Sequence, residues 1–330
     1  MRLVIQLKPI CQTEMTDREA LGLPDNYIDT PISENNLSQT HFAAFDIPGL
    51  IDVVESDKPL YERYYAGLLL SLSGDPRIDV FNPTMIAIAA TEFVMGIDKA
   101  RADRVVEQYK HLGVLPEWIY KECPAHSVRC APFSIAKYPV TNAEYRAFLL
   151  ETKHTGLPSS WRLGQFPVEK ANHPVYSVTL DDIEKYIAWL NRKTQGNYRL
   201  PTEAEWELAA SGGVPREFPW GDVFDASRLN TVETGIYTTT PVGMFPGGQS
   251  PFGVMDMAGN VEEYVADDYY VYPGGERQKD HLNETTETYR VARGGSFARF
   301  ADLARNARRH GKFPRFDREI FAMGFRLAQS

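Results

Sequence analysis

Beyond Gly213 the chain loses every helical period, and Gly, Pro and aromatic residues dominate as far as Ser330. A parallel sheet needs a helical crossover between its strands, so a helix-free stretch of this length leaves few architectures open. Before it stand three short amphipathic helices, each opened by a capping residue. Thr141 and Glu144 have capping-box spacing in "TNAEYRAFLLET", and Thr179 heads "TLDDIEKYIAWLNRKTQG", whose stripe is Ile183, Ile187 and Leu190. Thr202 and Glu205 repeat the device in "PTEAEWELAASGG". Two or three helices in a loop-rich, weakly stranded chain indicate an α+β fold.

The amino-terminal part has a different texture. "RLVIQL" alternates like a strand, and a helical unit is expected over about residues 50–122. "DKPLYERYYAGLLLSLSG" has Pro59 near its start and Gly74 at its end. "NPTMIAIAATEFVMG" offers Asn82 as cap, Pro83 at the first helical position and Gly96 as stop, so the apolar run Met85–Ile97 is expected to be a buried helix. In "DKARADRVVEQYKHLG", Asp98 caps, Gly113 terminates, and Ala102, Val105, Val106, Tyr109 and Leu112 share a face. The texture changes at "ECPAHSVRC", which places a boundary between a mainly helical accessory domain, 1–122, and a second domain, 123–330.

A net charge of −9 argues against a general nucleic-acid binder, yet the charge is uneven. Residues 293–326 hold nine Lys or Arg against three Asp or Glu, a basic island on an acidic chain. Three cysteines are too few for a disulfide framework, no apolar run is long enough to span a membrane, and the amino terminus does not read as a signal peptide. A cytoplasmic protein is expected.

The series "PFSIAKYPVTNAEYRAFL", "HPVYSVTLDDIEKYIAWLN", "YRLPTEAEWELAA", "FPWGD", "FGVMDMAGNVEEYVADDYY", "RVARGGSF" and "MGFRLA" resembles the formylglycine-generating enzyme and sulfatase-modifying factor superfamily. The resemblance covers roughly residues 128–330 and implies a C-type lectin-like fold there, with the amino-terminal helical accessory domain attached. Several functions share that scaffold. The formylglycine enzymes hold Cu(I) with two thiolates shortly after the Gly-Gly-Ser motif; here those positions are Arg299 and Ala304, so no copper is expected. The sulfoxide synthases bind iron through three histidines, two closely spaced on an amino-terminal helix. That region here offers only His41, His111 and His126, with no such pair. The variable proteins of diversity-generating retroelements display a binding patch between Gly-Gly-Ser and Gly-Phe-Arg, a frame present at Gly294–Ser296 and Gly324–Arg326. Pyoverdine-maturation proteins are a further class.

The resemblance also implies a structural Ca²⁺ held by Asn260, the Val261 carbonyl and Glu263, with Asn230 at a second position, although the motif's usual tryptophans are here Glu262 and Tyr264. Cys123, His126 and Cys130 lack zinc-knuckle spacing. Trp189, Trp206 and Trp220 read as core, and Trp161 as a residue that lines a groove. Arg293 and Arg326 belong to the frame and read as structural. The reading that follows is a ligand-binding protein whose basic groove, built from Arg299, Phe300, Asp302, Arg305, Asn306, Arg308 and His310, takes an anionic small molecule, peptide or protein surface. A non-copper enzyme of natural-product maturation, using metal or acid–base chemistry, is the alternative; Asp302 or His310 would be its base.

Overall fold

The computed structural model describes residues 15–32, 45–280, 282, 288–311 and 321–330. The strand expected at "RLVIQL" and the residue His41 lie outside them. A short helix, α1 (Asp17–Ala20), is closed by a Thr16–Glu19 capping box. Next come α2 (Ile47–Val54), capped by Asp46 after which Pro48 fits the first turn, and α3 (Leu60–Ser73), which ends at Gly74. Leu50, Val53 and Val54 of α2 meet Tyr64, Ala66 and Leu70 of α3, and this hairpin is sealed onto Ile236, Met244 and Phe245. A Cβ at Gly67 would lie 2.3 Å from the Pro241 ring, so only glycine lets α3 approach this closely.

The run Met85–Ile97 is not a helix. It forms two strands, β1 (Met85–Ile88) and β2 (Thr91–Met95). In β2 the side chains alternate, Phe93 and Met95 buried, Glu92 and Val94 exposed, and that period of two outweighed the helix-like cap and stop. The helix α4 (Lys99–Tyr109) follows, capped by Asp98 and ended through Gly113, and then α5 (Pro116–Tyr120). Strands β3 (His126–Cys130) and β4 (Phe133–Ala136) lie antiparallel to β2 and β1, in registers running Thr91↔Cys130 to Met95↔His126 and Met85↔Ala136 to Ile88↔Phe133. Both pairings cross the boundary expected at 122/123.

The three expected helices are α6 (Asn142–Thr152), α7 (Leu180–Thr194) and α8 (Glu203–Ser211), each with a complete capping box, the α7 box closing on Asp182. The remaining strands are short: β5 (Tyr198–Arg199), β6 (Glu262–Asp268), β7 (Arg290–Arg293), β8 (Met323–Phe325) and β9 (Ala328–Gln329). One sheet runs β1-β4-β9-β5 and another β7-β6-β8, with β6 and β8 parallel. The largest core gathers Tyr145, Phe148, Tyr186, Trp189 and Phe325 from the helices and β8. It also holds Tyr109, Leu112 and Ile119, so the 99–120 helices pack into the same core. The fold is α+β.

Candidate functional site

Among the described residues, the arginines of the basic island are buried. Arg293, Arg305, Arg308, Arg309 and Arg326 are at most 2% exposed and Arg299 is 5% exposed, so the expected exposed wall of guanidinium groups is instead an internal lattice of ion pairs. Glu203, in the first turn of α8, receives Arg293 Nε at 3.0 Å and a fork from Arg309 at 2.8 Å on each oxygen. Glu207, one turn on, takes Arg293 Nη2 at 2.8 Å. Arg305 bridges Glu122 and Glu217, and Arg308 donates to the carbonyls of Trp118 and Arg309. Asn306 donates Nδ2 to the Arg216 carbonyl. Arg326 forks onto Glu263, as its expected structural role requires.

Two departures from the family motif meet in space. Glu262 stands where the motif carries a tryptophan and Arg299 where the copper enzymes carry a cysteine; Arg299 Nε donates to Glu262 Oε1 at 3.1 Å. The other oxygen, Oε2, lies 2.6 Å from His310 Nδ1. Burial alone would raise the Glu262 carboxyl, but His310 and Arg299 outweigh it and hold it at about 2. Burial lowers His310, so near neutral pH the ring is neutral, its Nδ1–H donating to a carboxylate. Asp302, also buried, is pushed up by desolvation against the pull of Arg308, Arg305 and Arg299. Arg299, Asp302 and His310, with Ala298, Phe300, Leu303 and Arg308, line a cavity of 50 Å³ that Ala20, Leu112, Val114, Trp118 and Asp280 complete. Glu262 and Arg299 were each legible as a departure from the motif, but not as partners; Glu122, Glu203, Glu207 and Glu217 gave no sequence signal, because they lie 86–183 residues from the arginines that they hold.

A roomier concavity lies elsewhere. A cleft of 520 Å³ is lined by Trp161, Phe166, Tyr176, Tyr237 and Phe297, with Arg162, Glu169 and Lys170 as its charged groups. Trp161 thus lines a groove as expected, its Nε1 donating to Asn142 Oδ1 at 2.7 Å, while Ser160 donates to the Tyr176 carbonyl at 2.8 Å. Phe297 follows Gly-Gly-Ser directly and meets Tyr176 edge to face at 5.6 Å. At the rim Leu163 holds φ +56° and is 86% exposed, a strained and uncovered apolar residue. Tyr176, Tyr237 and Phe297 were not singled out in the sequence, since an aromatic residue in a loop-rich chain reads equally as core.

No metal fits well. Copper would need thiolates, but Arg299 and Ala304 occupy those positions, and the free Cys123 and Cys130 lie on other elements. Among the described residues no three His, Cys, Asp or Glu converge as a metal site, which leaves the iron set of the sulfoxide synthases without a counterpart there. For calcium, Glu263 accepts the Arg326 fork and Trp206 Nε1 at 2.8 Å, whereas Asn230 Oδ1 is buried without a partner. Asn260 Oδ1 accepts from the Thr240 amide and Asn230 Nδ2, and Asn230 donates to the Thr238 carbonyl, so both asparagines bind loops together. Val261 is 1% exposed beside them. No helix among the described residues is long and apolar enough to cross a membrane.

Comparison with known proteins fits this geometry. The chain is 31% identical over 281 residues to the hercynine oxygenase of Mycolicibacterium smegmatis, an alignment that takes in 74% of this chain and 61% of the relative. It spans about three fifths of the length of the hercynine oxygenases that it matches. It is 30% identical to the mouse protein called inactive C-alpha-formylglycine-generating enzyme 2, covering 80% of this chain and 92% of that one. The structure of PvdO from Pseudomonas aeruginosa superposes with a TM-score of 0.55 at 29% identity, over 74% of this chain and 94% of that one. Treponema denticola variable protein 1 shares the fold, with a TM-score of 0.55 at 20% identity over 75% and 95% of the two chains. The model of the sulfatase-modifying factor enzyme 1-like domain matches residues 74–330, and the chain belongs to that family.

Proposed function

We propose that this protein is a ligand-binding member of the family that has given up copper chemistry, and that its ligand enters the cleft between Trp161 and Phe297. The observation that carries the reading is the Arg299–Glu262 pair: a buried guanidinium, tied to a carboxylate, stands where a thiolate would have to hold Cu(I). The cleft has the size and mixed lining of a small-molecule or peptide site, a mostly aromatic concavity with a few polar groups. Arg162 and Lys170 against a single Glu169 favour a ligand with an anionic group and a flat apolar part. The mouse relative's name, which calls it inactive, supports binding over turnover.

Calcium has no part in this reading, because Glu263 is committed to Arg326. We expect neither nucleic acid nor membrane as a partner, since the six described arginines of the basic island are buried. Among the described residues two free thiols, one buried and one half-buried, accord with a cytoplasmic site. A second reading, acid–base catalysis without copper, is favoured by the Glu262–His310 contact beside a cavity.

The test is tryptophan-fluorescence titration with a panel of aromatic acids and acidic aromatic peptides. Arg162→Ala, at an exposed position, should weaken binding about tenfold and shift stability by less than about 0.5 kcal/mol. The purified protein should carry no stoichiometric copper and leave the cysteine of a sulfatase-type peptide unoxidised. Copper retained at one equivalent, or no panel member binding above background, overturns the reading.

A further inference from the structure

The 50 Å³ cavity beside Arg299 is separate from the aromatic cleft and has its own chemistry. Two guanidinium nitrogens there, Arg299 Nη2 and Arg308 Nε, are buried without a protein hydrogen-bond partner. Their residues are 5% and 2% exposed, and both line the cavity. Unpaired donors on buried cations are costly, and proteins seldom retain them without an acceptor. The nearest protein acceptor does not serve: Asp302 Oδ2 stands 3.7 Å from Arg308 Nε, beyond hydrogen-bond reach. Asp280, the other acid on the wall, is drawn to Lys121. Glu262 is already shared between Arg299 and His310. The cavity therefore presents more donor capacity than the protein satisfies, and the missing partner is an acceptor.

Size and shape narrow its identity. The cavity is small beside the aromatic cleft, 50 Å³ against 520 Å³. Phosphate and halide have no apolar end for the wall of Leu112, Val114 and Trp118 to receive. A carboxylate is planar, has three heavy atoms, and suits guanidinium donors. The opposite wall, Leu112, Val114 and Trp118 with Ala298 and Phe300, is apolar and would receive a hydrogen or a methyl group.

We propose that the cavity between Arg299 and Arg308 binds a small monocarboxylate, of formate to acetate size. Asp302 is then a competitor, because its carboxylate faces the same guanidinium as the ligand would. Ala298 sets the depth available for the ligand's apolar end.

Isothermal titration calorimetry and thermal shift, with sodium formate, acetate, phosphate and chloride at matched ionic strength, test the assignment. Formate and acetate should give saturable heat and a rising melting temperature, and phosphate and chloride neither. Asp302→Asn, which removes the competing charge and keeps the side-chain shape, should tighten acetate about tenfold. Ala298→Leu, which fills the space and removes no charge, should weaken it by at least about tenfold. Arg162→Ala, in the aromatic cleft, should leave acetate binding unchanged, so the two sites fail or succeed independently. A wild-type protein that gives the same response to chloride as to acetate, or no saturable response at all, overturns the proposal. So does an Asp302→Asn variant that binds acetate no better than the parent; that comparison stands even if Ala298→Leu does not fold.

Discussion

Arg305 shows what the arginines of the basic island do. With its side chain fully buried between Glu122 and Glu217, it joins the segment after α5, the loop after α8 and the carboxyl-terminal stretch. Truncation would strand the Glu122 carboxylate, so Arg305→Ala should cost about 3–5 kcal/mol in urea unfolding, far more than a surface arginine. A loss below about 1 kcal/mol would place Arg305 among solvated groups. Glu144 carries a second residue-level expectation. Burial raises its carboxyl from 4.5 to about 7, so the folded state binds the proton more tightly than the unfolded chain does. Stability from this group is therefore lost as pH rises from about 4.5 to 7, by up to ~1.4 kcal/mol per pH unit, and is constant above. Glu144→Gln should gain on the parent across that window and level off beyond it; parallel stability curves would refute the assignment.

At the scale of elements, what the sequence disclosed depended on how local the signal was. The capping boxes at Thr141, Thr179 and Thr202 are contacts over three residues, and each opens the helix that it announces. The strands β1 and β2 were hidden because Asn82, Pro83 and Gly96 frame an apolar run with helix punctuation, while their partners lie beyond residue 125. The alternation of Phe93 and Met95 with Glu92 and Val94 was the local clue. Of the candidate site, the Arg299–Glu262 substitution was readable as two residues out of pattern, but not the burial of the arginines. A run of positive charge says nothing about exposure until its acidic partners are located. The α3 contact gives this scale its test: Gly67→Ala places a methyl against Pro241 and should destabilise the protein by about 1–3 kcal/mol. An unchanged melting temperature would mean that the hairpin sits loosely on the 241 turn.

Over the whole molecule, buried ion pairs tie the carboxyl-terminal stretch to α8 and to the segment after α5. Treatment with a chelator should leave the melting temperature unchanged, because the Glu263 carboxylate is held by Arg326 and Trp206. A fall of several degrees, reversed by added calcium, would restore the family's metal to this chain. The strand exchange between β1, β2 and their partners β4, β3 has a practical corollary. Each half of a chain divided near residue 123 lacks strands that the other supplies, so two co-expressed fragments should find each other and restore a single folded particle. Such a pair could be used as a split reporter, with cleft binding as its signal.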